Sequence, residues 1–200
     1  MLKSLRPMVG VTVLLWLLVG LGYPMVMTAV SNLTLPWQSQ GSPVYVHGRL
    51  AGAAHVGQNF EPARGYFWGR PSATVSLTTG KPQPYNAVNS APSNLGPTNA
   101  ALIAHIKQRI AYLRRTTPGL KTGEIPASLV ESSGSGLDPD VTVSAALLQV
   151  PRVALATGLS RTFLTRLVQA NTLPPDWGVF GRSRINVLEL NIALYKALHG

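Results

Sequence analysis

The sequence predicts an α+β protein: a single N-terminal transmembrane helix followed by one mixed domain outside the cytoplasm. Three observations lead there. Residues 7–48 contain no Asp, Glu, Lys or Arg, and Met8–Val30 within them is almost wholly apolar. Beyond that span, helical and extended patterns alternate without the regular βαβ order of a parallel sheet. Finally, 200 residues, 46% of them hydrophobic, suffice for one core and one accessory element.

The span comes first. As a helix, Met8–Val30 would extend about 35 Å at ~1.5 Å per residue, enough to cross a hydrocarbon layer of ~30 Å with some tilt. Pro24 either kinks it or marks its outer end. A cleaved signal peptide has a shorter apolar core, and Ala29-Val30-Ser31 makes a poor cleavage site. A buried core helix would need a polar face, which this stretch lacks. Lys3 and Arg6 precede the span, and no basic residue follows until Arg49. The positive-inside rule therefore leaves the N-terminus in the cytoplasm and exports the rest. The expected division is an anchor at 1–30 and an extracytoplasmic domain at 31–200. Tyr23 and Trp37 suit the outer interface, whereas Trp16, deep in the span, suits a face packed on another protein.

The elements beyond follow from pattern. Residues 31–48 read as a linker or first extended segment, and Val44–Leu50 alternates weakly, as a short strand does. Residues 58–97 are rich in Pro, Gly, Ser and Asn, yet Phe60, Tyr66, Phe67 and Trp68 argue for burial rather than disorder. A helix follows, capped by Thr98, with Leu102, Ile106, Ile110 and Leu113 as a stripe and Ile103 beside it. Lys107, Arg109, Arg114 and Arg115 face outward or occupy its last turn, and Pro118-Gly119 ends it. Glu124–Val130 is expected to be extended. Thr142 caps a helix bearing Ala145, Leu148, Val153 and Ala156 on its buried face, with a kink or break at Pro151. Ser160 caps another, with Phe163, Leu164, Leu167 and Val168 along one side. Arg184–Asn186 reads as a strand. Asn186 and Glu189 resemble a capping box opening a last helix, with Val187, Leu190, Leu194 and Leu198 on one face.

Composition and spacing exclude much chemistry. The absence of cysteine removes disulfides, thiolate zinc sites and cysteine nucleophiles. A net charge of +10, from 17 basic and seven acidic residues, suits nucleic acid, anionic lipid, an acidic protein partner or simply a solvated surface. Nucleic acid is disfavoured, because the basic residues are scattered and no recognition motif accompanies them. GYFWGRPS and SGSGLDPD fail the phosphate-loop pattern, and Ser135 in SGSGL does not fit the GxSxG spacing of a hydrolase elbow. His47, His55, His105 and His199 show no metal spacing. Asp138 and Asp140 would supply two calcium ligands, but nothing suitable lies downstream to complete such a loop. The SGSGLDPD stretch (133–140) therefore reads as a shaped turn: Asp138 precedes a proline, and Asp140 lies just before a helix start. No catalytic or metal-binding residue is assigned.

Five motifs in order, YFWGRPSA (66–73), SNLGPTN (93–99), SGSGLDPD (133–140), QVPRVA (149–154) and NVLELN (186–191), lie behind the one span. Together they resemble the C subunit of the bacterial potassium-transporting ATPase, the Kdp system. Two departures stand out: Ala91-Pro92 occupy a usually glycine-rich place, and Arg182-Ser183 replace a more acidic, proline-bearing turn. The resemblance implies a non-catalytic accessory subunit in the inner membrane. Its implied partners are a channel-like potassium-binding subunit, a P-type ATPase subunit and a very small fourth peptide. It implies a role in assembly and in raising the ATP affinity of the catalytic subunit, with ATP shared rather than held firmly. A nucleotide role attaches in the family to the glutamine matching Gln149, which the local sequence reads equally well as a helix-end hydrogen-bonding residue. The alternative is a freestanding, membrane-anchored periplasmic binding domain. Anionic lipid headgroups are a further partner that the basic domain would suit.

Overall fold

The computed structural model describes residues 2–200, with side chains from Leu5 onward; the Lys3 side chain, used above for orientation, lies outside them. The chain divides into two compact units, one ending at Pro43 and one covering Val44–Gly200.

The first unit is helical. α1 (Leu2–Leu17) passes through a π-helical segment (Leu18–Gly22) into α2 (Tyr23–Thr34), and a single turn, α3 (Pro36–Ser39), follows. Leu5–Thr34 is long and apolar enough to cross a membrane, and its apolar window has no buried residue within the chain. That exposure rules out the core-helix alternative. Pro24 does not end the helix. A π-helical segment ends at Gly22, two residues before it, and local π geometry is one way a helix takes up an interrupted hydrogen-bond ladder. Trp16 is 81% exposed at mid-span. Trp37 donates from Nε1 to the Pro43 carbonyl at 3.0 Å.

The second unit begins with a hairpin, where one strand was expected. β1 (Pro43–Val46) and β2 (Arg49–Ala53) pair across His47-Gly48. Both turn residues have left-handed backbones (φ 49° and 74°), the geometry that closes a two-residue hairpin. A long irregular segment then runs to α4 (Ala100–Thr116). Asn99, not Thr98, caps α4, its side chain accepting from the Ala101 amide at 2.8 Å. Leu113 is buried and Ile103 is exposed. Glu124–Val130 is not extended: two 3-10 turns, Thr122–Glu124 and Ala127–Leu129, place Leu129 in the core instead.

The remainder is built from two strand-to-helix corners. β3 (Asp140–Thr142) runs straight into α5 (Val143–Thr157), and β4 (Arg184–Asn186) runs straight into α7 (Val187–His199). The strands pair antiparallel with Val141 opposite Ile185, both buried. Thr142 and Asn186 cap their helices as expected, accepting from the Ala145 and Glu189 amides. α6 (Arg161–Ala170), capped by Ser160, packs against α5 and α7.

Of the kink or break expected at Pro151 the break does not occur: α5 continues through it and ends at Gly158 in a left-handed cap. Its buried face is Ala145, Ala146, Gln149, Val150, Arg152 and Val153, while Ala156 is exposed. Two polar side chains thus sit where an apolar stripe was sought.

Candidate functional site

Gln149 and Arg152 lie one helical turn apart on the inner face of α5. They hold the irregular segment 63–70, which α7 holds from the other side. The Gln149 amide clamps the Trp68 peptide: Oε1 accepts from Trp68 N at 2.8 Å and Nε2 donates to Trp68 O at 3.0 Å. Asn191 does the same to the preceding residue, accepting from Phe67 N at 2.8 Å and donating to Phe67 O at 2.9 Å. Consecutive peptides are therefore gripped by amides from two different helices. Each amide imitates the neighbouring strand that this segment lacks.

Arg152 completes the hub. Its Nη1 donates to the Arg64 and Tyr66 carbonyls at 2.6 and 2.9 Å, and its Nη2 donates to Gln149 Oε1 at 2.6 Å. Its guanidinium lies 3.6 Å from the centroid of the Trp68 ring, a cation–π contact in a desolvated setting. Burial pushes the Arg152 guanidinium down to about 10, opposed mainly by the charge of Glu61. The other face of this aromatic layer is Tyr112 of α4, stacked on Trp68 at 5.5 Å. Trp68 Nε1 donates to Ala63 O at 2.9 Å.

Two ion pairs tie the flanks. Arg109 of α4 grips the Glu61 carboxylate with both terminal nitrogens and donates from Nε to Leu129 O at 2.9 Å. Arg70 reaches Asp138 at 3.1 Å. Asp138 also accepts from the Asp140 amide at 3.0 Å, so SGSGLDPD is a shaped turn that receives the end of the 63–70 segment. Asp140 stands two residues before the Thr142 cap of α5, as expected, but within a strand. It opens β3, opposite Asn186, and pairs with Arg184 at 3.1 Å. Burial first, then the charge of Asp138, raises the Asp140 carboxyl above its ordinary value. Tyr85 donates from its hydroxyl to Arg70 O at 2.6 Å; burial, and then the charges of Glu61 and Asp138, raise its phenol. Gly69 fits closely here: a Cβ would stand 2.3 Å from the Tyr85 hydroxyl, so the Tyr85 ring would have to shift.

A groove of about 670 Å³ runs along α4, between Leu102, His105 and Arg109 on one wall and Ser72, Thr74 and Ser93 on the other. Gln149 does not line it. Among the described residues no three His, Asp or Glu side chains gather as a metal site. The Gln149 side chain is 1% exposed as a residue and uses both donors and both acceptor positions within the chain, adding a bond to Ala145 O at 3.1 Å. The sequence flagged Gln149 but missed Asn191 and Arg152. The signals for them were a polar residue on a largely apolar helical face and a place within the QVPRVA and NVLELN motifs.

Comparison with known proteins agrees with the motif order. The family model described as KdpC: K+-transporting ATPase, c chain, matches residues 5–196. The chain is 46% identical over 199 residues to the potassium-transporting ATPase KdpC subunit of Rhodopseudomonas palustris strain BisB18, covering 97% of this chain and 98% of that protein. It is 45% identical over 196 residues to the protein of the same name from Burkholderia vietnamiensis, covering 98% and 97%. Another from Methylobacterium nodulans is 44% identical over 199 residues, with 97% of each chain covered. These matches run from the apolar helix through α7 and embrace every residue of the hub, and the chain belongs to the KdpC family of potassium-transporting ATPase subunits.

Proposed function

We propose that this chain is a non-catalytic accessory subunit, anchored by Leu5–Thr34 in the inner membrane with its larger unit on the outer side. Its partners are the channel-like potassium-binding subunit, the P-type ATPase subunit and the small fourth peptide of the same transporter. It aids their assembly and raises the ATP affinity of the catalytic subunit through contact with them. The observation that carries this reading is the internal commitment of the polar hub. Gln149, Asn191 and Arg152 each bond to backbone of the 63–70 segment or to one another. Their polarity stiffens a surface that presents loops to a partner, rather than waiting for a substrate.

In this reading Gln149 is a positioning residue. A nucleotide contact at Gln149 would require its amide to release Trp68 and expose two buried peptide groups, at a cost of ~1–3 kcal/mol each. The test is purification of the full chain in mild detergent from cells that express the transporter genes. A P-type ATPase should come with it, and the chain purified alone should hydrolyse no ATP. A chain that purifies without partners, or that turns over ATP unaided, removes the proposal.

A further inference from the structure

The segment between α6 and β4 ends in a hairpin tip that the hub does not explain. Asp176 and Phe180 exchange backbone hydrogen bonds, both at 2.9 Å, and Gly178 N bonds to Pro175 O at 2.9 Å. At the base, Leu173 and Arg184 exchange bonds at 2.8 and 3.0 Å. The Arg184 guanidinium bridges Asp176 of the tip to Asp140 of β3. The tip is therefore ordered, yet it turns apolar side chains to solvent: Trp177 is 92% exposed, Val179 75% and Phe180 62%. The two rings stand edge-to-face at 6.2 Å. Trp177 also has a left-handed backbone, φ 53°, a conformation costly for a bulky residue. Exposure and strain coincide at one residue.

We infer that the 176–180 tip is a preformed anchor that seats Trp177 and Phe180 in a concave apolar pocket on another subunit of the transporter; this rests on the subunit reading above. Size limits the occupant. Side chains like these offer on the order of 400 Å², against the ~800 Å² per partner of a free-standing interface. The occupant must therefore be held close by other contacts, as subunits of one assembly are. Shape limits it further. Fixing an aromatic pair on a strained backbone lowers the ordering cost of binding a surface of matching form. A fluid bilayer has no fixed form to match, so it gains nothing from that strain. Arg182, exposed beside the tip, makes no hydrogen bond or ion pair among the described residues. It gives the pocket's rim its chemistry: a carboxylate or a set of carbonyl oxygens.

The chain has no cysteine, so Val179→Cys supplies a unique probe. Its reaction with a soluble maleimide is followed for the chain alone in lipid nanodiscs and for the assembled transporter in the same lipid. Leu155→Cys, on the exposed side of α5, serves as reference. The expected result is rapid labelling of the chain alone and at least tenfold slower labelling at position 179 in the complex. Equal rates in an intact complex overturn the tip and leave the subunit reading standing. Protection in the chain alone means that lipid covers the tip, and overturns the protein pocket. Failure of the wild-type chain to bring partners down overturns both. Trp177→Gly provides the second arm, since glycine accepts the left-handed backbone. Its isolated chain should unfold no more easily than wild type, while its complex dissociates at least tenfold faster in detergent. A matching loss of stability in the isolated chain would make Trp177 a structural residue and end the inference.

Discussion

At the residue scale, the hub shows how a glutamine, an asparagine and an arginine can be core residues. Each peptide group of Phe67 and Trp68 lies where no strand can pair with it, and an unpaired buried amide or carbonyl costs ~1–3 kcal/mol. Gln149→Ala strips partners from Trp68 N, Trp68 O and Arg152 at once. It should destabilise the domain by ~3–5 kcal/mol in chemical denaturation. Asn191→Ala, which frees only the Phe67 peptide, should cost about half as much. If Gln149→Ala unfolds with wild-type energetics and only the KM for ATP of the complex rises, then Gln149 serves the nucleotide and not the fold. Asp140 gives a pH signature. Its folded carboxyl is raised above the ordinary value by burial and by Asp138, despite the pull of Arg184. The folded chain thus holds this proton more tightly than the unfolded chain does. Its contribution to stability grows as pH falls through the carboxylate range and is lost as pH rises through the folded value. Asp140→Asn lacks that term. The stability of wild type relative to Asp140→Asn should rise on acidification, as read from denaturation midpoints between pH 6 and pH 3.

At the scale of elements, the parts visible in the sequence were those decided locally. Thr142, Ser160 and Asn186 each announce a helix within three residues, and each caps one. The β4 strand was legible for the same reason. The phase of α5 was not, because its inner face is set by Trp68, distant in sequence, and a hydrophobic-stripe search passes over Gln149 and Arg152. Pro151 breaks nothing, since the packing of α5 against α6, β3 and β4 outweighs one lost helical bond. The cap of α4 falls on Asn99 rather than Thr98, since two capping residues stand side by side and local pattern cannot rank them. Within SGSGLDPD, reading a turn was right, but its purpose depends on segments far along the chain. Gly136 has φ 69°, and a Cβ there would stand 2.5 Å from Thr74 Cγ2 and 2.9 Å from Ala91 O. Gly134, two residues earlier, has open space around it and no left-handed strain. Gly136→Ala should therefore cost ~1–3 kcal/mol, and Gly134→Ala less than about 0.5 kcal/mol in either direction. Equal effects at the two positions would mean that the turn is not locked against residues 72–91.

For the whole molecule, orientation decides which function is physically available. The orientation proposed above rests on charge: Lys3 and Arg6 precede the apolar helix, and the next basic residue is Arg49. Translocating a short N-terminus with two positive charges is disfavoured, whereas a long following domain crosses largely regardless of its own charge. In the orientation proposed above, the membrane separates the unit from Val44 onward from cytosolic nucleotide, and the proposed influence on ATP affinity would be transmitted through partner subunits. The absence of cysteine makes this measurable with single probes that leave the determining charges intact. Ser4→Cys retains both Lys3 and Arg6, and Lys107→Cys lies on the exposed side of α4. In spheroplasts treated with a membrane-impermeant maleimide, Lys107→Cys should label fully, and Ser4→Cys should label only after the membrane is opened. The opposite pattern would place Gln149 in the nucleotide compartment. Direct contact between this chain and ATP would then become the simpler account, and the hub would need a conformation in which Trp68 is released.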